Sequence, residues 1–214
     1  MRMITNSVDF LPHHRTAVLA SVDVVGAVTL DDLGRPTPCA DWNLLDLLAH
    51  MTVQHRGFAA AARGFGDDPT LWQPESVLTL VAADPAGTYA SAAHDVLDAF
   101  ARDGAADGEF DLPDFGPGAK VPGAMAMGFH FVDYAVHGWD VATTIGLPYE
   151  LPSDVVAAVL PLALAVPDGD FREATGSPFA RPVDVDRDGD FERILAHLGR
   201  RPWSGQAYST VTGA

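Results

Sequence analysis

The chain has 214 residues, of which 48% are hydrophobic and 20% charged, and this composition predicts an ordinary globular core within one domain. Its formal net charge of −16 disfavours binding to nucleic acid or to an anionic membrane, which leaves small molecules and other proteins as partners. No apolar run approaches the ~20 residues of a membrane-spanning helix, and the N-terminus lacks the layout of a secretory signal, so we expect a cytoplasmic protein. Because Cys39 is the single cysteine, we expect no internal disulfide, and any metal should be bound by imidazoles and carboxylates.

The order of apolar residues, caps and breakers predicts a series of helices. The second begins at a capping pattern, Asn43 with Asp46 three residues later, and the fourth ends at Gly146. The predicted helices cover residues 12–28, 43–64, 85–100, 123–145, 153–166 and 191–199. Residues 67–84 have no clear pattern, and five glycines and three prolines in residues 104–123 predict a loop. A single short strand at 182–185 is the only candidate for β-structure.

The helix predicted at 123–145 carries an unusual polar strip. At 100° per residue, five polar residues lie within about 80° of one another, and these are His130, Asp133, His137, Asp140 and Thr144. Short carboxylates and imidazoles on an otherwise apolar helix are buried only when they are paired or bound to a metal. Asp133 and His137, four residues apart, can give two ligands to one ion, although a surface or capping hydrogen-bond pair explains them as well.

Two segments carry a resemblance to a known family. Residues 36–50 read PTPCADWNLLDLLAH, and residues 133–140 read DYAVHGWD. A weaker match follows in the tail, with GSPF at 176–179 and LGRRPW at 198–203. Together these motifs resemble the DinB-like metalloenzyme family, in the branch that contains the N-terminal domain of mycothiol-dependent maleylpyruvate isomerase.

The resemblance implies an all-α fold. Residues 1–150 would form a metal-binding four-helix bundle with an up-down-down-up order of directions. Residues 151–214 would form a short irregular C-terminal extension packed on that bundle, so that the whole chain is a single domain. Bundles of this family often pair, which makes a homodimer an open alternative to a monomer.

The resemblance also implies three metal ligands, His50 from the first motif and Asp133 with His137 from the second. The branch usually has Glu at the acidic position, and the carboxylate of Asp reaches about 1 Å less far. Either the two helices lie closer together, or Asp133 acts through a water, or His130 shares the coordination. Asp140, one turn after His137, is a candidate to orient that imidazole, with capping or a surface contact as the alternative.

Two imidazoles and one carboxylate leave a coordination position open, which is typical of a catalytic metal site. We expect zinc first, while nickel, iron and manganese also suit these ligands. The resemblance implies that a low-molecular-weight thiol such as mycothiol binds the metal as a thiolate and attacks an electrophilic substrate, as in a thiol transferase or isomerase. The alternative is a metal-binding sensor or interaction module without catalysis, and an open pocket beside the metal distinguishes the two.

Other candidate residues are expected to have structural roles. Cys39 has no basic neighbour in sequence beyond Arg35, which favours a buried structural thiol over a nucleophile. Trp42 is expected in the core, and His55 points about 140° away from the histidine five residues before it. The remaining histidines belong to no cluster and are expected at the surface; these are His13, His14, His94 and His197.

Overall fold

The structure, a computed structural model, describes residues 10–39, 42–174, 177, 179–184 and 189–201. Within these residues the chain is mostly helical, with one small antiparallel sheet. The elements are α1 (Leu11–Val25), α2 (Leu44–Ala62), α3 (Leu78–Ala83), α4 (Pro85–Phe100), β1 (Glu109–Asp111), β2 (Lys120–Pro122), α5 (Gly123–Ile145), α6 (Ser153–Leu164) and α7 (Asp190–His197). None of the described helices is long and apolar enough to cross a membrane.

The predicted helix ends are confirmed where a specific cap sets them. The side chain of Asn43 accepts a hydrogen bond from the Asp46 amide at 3.0 Å, and the Asp46 carboxylate accepts one from the Asn43 amide at 3.2 Å. This reciprocal pair satisfies amides that have no partner within α2. Helix α5 ends at Gly146, whose φ of 75° lies in the left-handed region that glycine adopts without a steric penalty.

Four long helices pack around a shared core. Helix α2 packs against α4 and α5, and α1 packs against the same two helices, so each of the four contacts two others. The predicted all-α class is therefore confirmed, while the up-down-down-up order stays a prediction. The central position of α5 explains its composition, because a helix with neighbours on several sides has little surface left for long charged side chains.

The loop predicted at residues 104–123 contains the small sheet. Strands β1 and β2 are only three residues long, and Phe110 on β1 lies opposite Val121 on β2. Strands this short carry too few alternating residues for a sequence pattern to detect them. The strand considered at 182–185 lies partly outside the described residues, and residues 182–184 do not form one.

The segment after residue 150 packs on the bundle. Helix α6 contacts α1 and α5, and α7 contacts α6. Their buried apolar side chains meet the face of α5 that points away from α2; this cluster includes Phe131, Val132, Val136, Val155, Val159, Ile194 and Leu195. The division of the chain at residue 150 stays a prediction.

Candidate metal centre

The three predicted ligands come together between α2 and α5. The Nε2 atom of His50 lies 3.8 Å from Oδ2 of Asp133, and Nε2 of His137 lies 3.2 Å from Oδ1 of the same carboxylate. The ligand atoms of all three residues lie within 4.8 Å of one another. The structure therefore places two imidazole nitrogens and one carboxylate around a common point.

The donor atoms of this cluster fit a divalent ion. His50 Nε2 is buried and has no hydrogen-bond partner among the described residues, an arrangement that is costly unless something else satisfies it. His137 Nε2 is also buried and faces the carboxylate of Asp133. A tetrahedral ion with bonds of about 2.1 Å spaces its ligand atoms about 3.4 Å apart. The distances of 3.2 and 3.8 Å, which end on different oxygens of Asp133, are close to that spacing, so the shorter side chain of Asp133 still brings its carboxylate within reach of both imidazoles.

The other nitrogen of His137 is held by Asp140. Its Nδ1 lies 2.8 Å from Oδ2 of that carboxylate, and both side chains are fully buried. When Nδ1 carries the proton and donates it to Asp140, the lone pair of Nε2 points towards Asp133. Carboxylates in this position fix the tautomer and orientation of metal-binding histidines.

Asp140 is in turn held by Arg200 from the C-terminal segment. The guanidinium donates to both carboxylate oxygens, with Nη2 at 2.7 Å from Oδ2 and Nε at 3.2 Å from Oδ1. The ring of Phe179 lies against this group, 5.3 Å from the guanidinium carbon and 6.1 Å from the ring centre of His137. The segment after residue 150 thus closes the back of the cluster.

Cys39 completes the network behind His137. Its Sγ lies 3.0 Å from Arg200 Nη2 and 3.2 Å from Oδ2 of Asp140. The predicted burial of Cys39 is confirmed. The expectation that Arg35 is its nearest basic residue was wrong, because Arg200, 161 positions later in the sequence, contacts the sulfur. Burial raises the pKa of the Cys39 thiol despite the opposing charge of Arg200, so the sulfur stays protonated at neutral pH.

Cys39, His137 and Asp140 also lie close enough to form a second set of metal ligands. The guanidinium of Arg200 already supplies the positive charge at that position, at 2.7 Å from Asp140. Asp133, by contrast, has no arginine or lysine partner among the described residues, so the positive charge in the cluster of His50, Asp133 and His137 comes from a proton on His137 that a metal ion can replace. It is therefore the better candidate for a metal centre.

Burial and charge set different protonation states in the cluster. Burial lowers the pKa of His50 to about 4, so its imidazole is neutral at pH 7. Burial also acts to lower the pKa of His137, but the carboxylates of Asp133 and Asp140 outweigh it and raise the pKa well above the usual value. Burial acts to raise the pKa of both carboxyl groups, and the neighbouring cations outweigh it, so both are ionised. Without a metal, His137 is an imidazolium between two carboxylates.

The cluster lies nearest to solvent on one side. The side chains of His50 and Asp133 are 12% and 15% exposed, whereas His137 is fully buried. The ring of Trp42, which is partly buried against the core as expected, lies 4.8 Å from the ring of His50. The cluster therefore lies just below the surface of the bundle, beside Trp42.

His130 does not join the cluster. Its Nδ1 lies 2.9 Å from Nε2 of His14, and its Nε2 lies 3.1 Å from Nδ1 of His55. Because both ring nitrogens have partners, the geometry does not favour the alternative in which His130 shares the coordination. As expected, His55 points away from His50.

The prediction that His14 lies at the surface was wrong. Its side chain is only 1% exposed, because α1 packs against α5 and brings it onto His130. His94 is exposed as expected, while His13 and His197 are partly buried. An isolated histidine in a sequence carries no signal for a partner 116 positions away.

The fold and the cluster together define a helical bundle with a two-histidine, one-aspartate centre between two of its helices. The sequence model of the family described as "Mycothiol maleylpyruvate isomerase N-terminal domain" matches residues 14–142. The chain belongs to this family, and the resemblance found in its motifs is confirmed.

Individual proteins extend this comparison. Two curated relatives, both described as uncharacterized proteins of Mycobacterium tuberculosis, are 31% identical over 194 residues, which cover 90% of this chain and 98% of each relative. The crystal structure of the mycothiol-dependent maleylpyruvate isomerase matches with a TM-score of 0.57 and 14% identity, over 77% of this chain and 70% of that one. At this identity the likeness shows that the two proteins share a fold.

Proposed function

We propose that this protein is a cytoplasmic, metal-dependent enzyme of the thiol transferase or isomerase kind, which uses a low-molecular-weight thiol such as mycothiol to act on an electrophilic substrate. One observation carries the proposal. Two buried imidazole nitrogens lie around one carboxylate near the surface of the bundle, and that of His50 has no hydrogen-bond partner in the part of the chain that the structure describes. Membership of the family of the mycothiol maleylpyruvate isomerase N-terminal domain supports the choice of thiol.

In this proposal His50 Nε2, His137 Nε2 and the carboxylate of Asp133 hold one divalent ion, with zinc expected first. The ion, when bound, supplies a Lewis acid that lowers the pKa of a thiol and so provides a nucleophile at neutral pH. The protein's own groups prepare the ligands. His50 is already neutral, and Asp140 holds Nδ1 of His137 so that Nε2 remains for the metal.

An open position favours an enzyme over a closed metal-binding module. A closed site needs a fourth protein ligand, and His130, the residue considered for that role, is engaged by His14 and His55 instead. The partial exposure of His50 and Asp133 leaves an approach for the thiol and its reaction partner. Three protein ligands with an accessible side are the arrangement of catalytic rather than structural zinc sites.

Metal content and thiol binding test the proposal. Elemental analysis of the purified protein should find about one divalent ion per chain, and His50→Ala should lose most of it. The matched control is His94→Ala, since His94 is exposed and lies outside the cluster. In the cobalt-substituted protein, mycothiol should produce a thiolate-to-cobalt absorption band. Equal metal content in the wild type and His50→Ala would refute the site.

Turnover is the next measurement. With mycothiol present, the metal-loaded protein should either isomerise maleylpyruvate, which regenerates the thiol, or add the thiol to a neutral electrophile, which consumes it, and His50→Ala should do neither. Stoichiometric metal without turnover of any of these substrates would favour the alternative, a metal-binding sensor or interaction module.

A further inference from the structure

The line of contact between α2 and α5, here called the groove, continues beyond the candidate metal centre. The two helices run in opposite directions here, because His50 packs beside His137 while His55, further along α2, packs beside His130, earlier on α5. One turn past His50 on α2 is Gln54, and one turn before Asp133 on α5 is Phe129. Both residues therefore lie on the same side of the cluster, roughly 6 Å along the groove.

The turn between β1 and β2 rests on both of these residues. Gln54 donates a hydrogen bond to the carboxylate of Asp114 at 3.3 Å. The ring of Phe115 stacks on Phe129, with 5.2 Å between ring centres and 20° between ring planes. The turn at Pro113–Phe115 thus forms an end wall of the groove, next to the metal ligands.

This wall exposes more apolar surface than the fold requires. Phe115 is 61% exposed although its ring is stacked, and Met125, one turn further from Asp133 than Phe129, is 54% exposed. Neighbouring exposed apolar side chains mark surfaces that bind something. Here Phe129 and Met125 lie about one and two helical turns from Asp133 on α5, which favours a small molecule bound at the metal centre as the occupant.

The charges along the groove narrow the choice of occupant. Asp114 and Asp133 bring two carboxylates to this part of the groove, and the whole chain carries a net charge of −16. The guanidinium of Arg200 is buried behind the cluster and is held by Asp140. An anionic substrate gains little from this arrangement, whereas a flat uncharged group can stack on the aromatic wall.

We propose that Phe115 and Phe129 bind the flat, uncharged apolar part of the electrophilic substrate beside the metal centre, so that the protein prefers neutral unsaturated or aromatic electrophiles to small dicarboxylates. This inference rests on the proposed function, because it assigns the substrate class of the same site. Phe115 acts as a specificity-determining residue rather than as a metal ligand.

Equilibrium dialysis of the zinc-loaded protein against 1,3-dinitrobenzene, an unreactive flat probe, and separately against maleate tests the assignment. Phe115→Ala should weaken binding of dinitrobenzene about 3- to 10-fold, as expected for the loss of one aromatic contact, and Phe115→Tyr should restore it. The matched control is Phe65→Ala, which removes an exposed ring just beyond the end of α2, away from Gln54. The wild type should bind dinitrobenzene more tightly than maleate.

Equal affinity of the wild type and Phe115→Ala for dinitrobenzene, or a preference for maleate, would overturn the inference. Zinc content and the cobalt–thiolate band, measured on the same variants, separate this failure from failure of the proposed function. If both are normal while Phe115→Ala changes nothing, only the substrate assignment falls. If the wild type binds no zinc, the proposed function falls, and dialysis of the metal-free variants still decides whether Phe115 binds the probe.

Discussion

A change from pH 7 to pH 5 acts on three buried histidines that join α1, α5 and α2. His14, His130 and His55 form a continuous hydrogen-bonded chain with distances of 2.9 and 3.1 Å, and each is fully or almost fully buried. Burial lowers the pKa of all three, that of His14 to about 3. They are therefore neutral in the folded protein across this pH range, whereas in the unfolded chain they take up protons near pH 6.5.

The sign and size of the effect follow from this difference. Because the folded-state pKa is depressed, the stability contributed by each histidine is complete above pH 6.5 and is lost as the pH falls below that value. Between pH 7 and pH 5 each group lowers the free energy of unfolding by about 2 kcal/mol, so the three together lower it by about 6 kcal/mol. His50, whose folded-state pKa is about 4, adds a further loss of about 2 kcal/mol in the metal-free protein. His137, whose folded-state pKa is raised, opposes these losses with about 1 kcal/mol over the same range. A typical domain has only about 5–15 kcal/mol of stability.

Urea unfolding of the metal-free protein at the two pH values, followed by circular dichroism, measures this loss. In His14→Gln one of the three titrating groups is removed while a hydrogen-bonding side chain remains. The variant should therefore lose about 2 kcal/mol less than the wild type between pH 7 and pH 5. Comparison within the pair cancels the general effect of the net charge, and His94→Gln, at an exposed position, is the matched control. Identical pH dependence in the wild type and His14→Gln would refute the reasoning.

Three further predictions concern the metal centre and the network behind it. Asp140→Asn should reduce zinc affinity about 10- to 100-fold in chelator competition, because it replaces the charged acceptor that orients His137 with a neutral amide. Unchanged affinity would contradict that role. Zinc binding at pH 7 should release about one proton, which comes from His137 because His50 is already neutral. Calorimetry in buffers of different ionisation enthalpy counts the released protons. If none is released, His137 is neutral in the metal-free protein and this reasoning is wrong. Arg200→Met should lower the free energy of unfolding by about 3 kcal/mol or more, since it leaves a buried carboxylate without its cation; a variant as stable as the wild type in urea would show that Arg200 is dispensable.

Local sequence determined the helices whose ends depend on neighbouring residues. The reciprocal cap of Asn43 and Asp46 and the left-handed glycine at position 146 act within a few residues of the chain, so their effect is readable without the fold. The spacing of Asp133 and His137 likewise settles that they share one face of α5, whatever surrounds it. The small sheet at 109–122 escaped prediction because its strands are too short to form a pattern.

Tertiary packing alone decided which polar groups meet. His50 reaches Asp133 only because α2 packs on α5, and the sequence indicated this through the family motifs rather than through spacing. The partners of His14 and Arg200 lie 116 and 60 positions away, respectively. Helical periodicity gives the direction of a side chain around its own helix, but the neighbour in that direction depends on how distant helices pack. The ligands on α5 were therefore visible in the sequence, whereas the network that holds them was not.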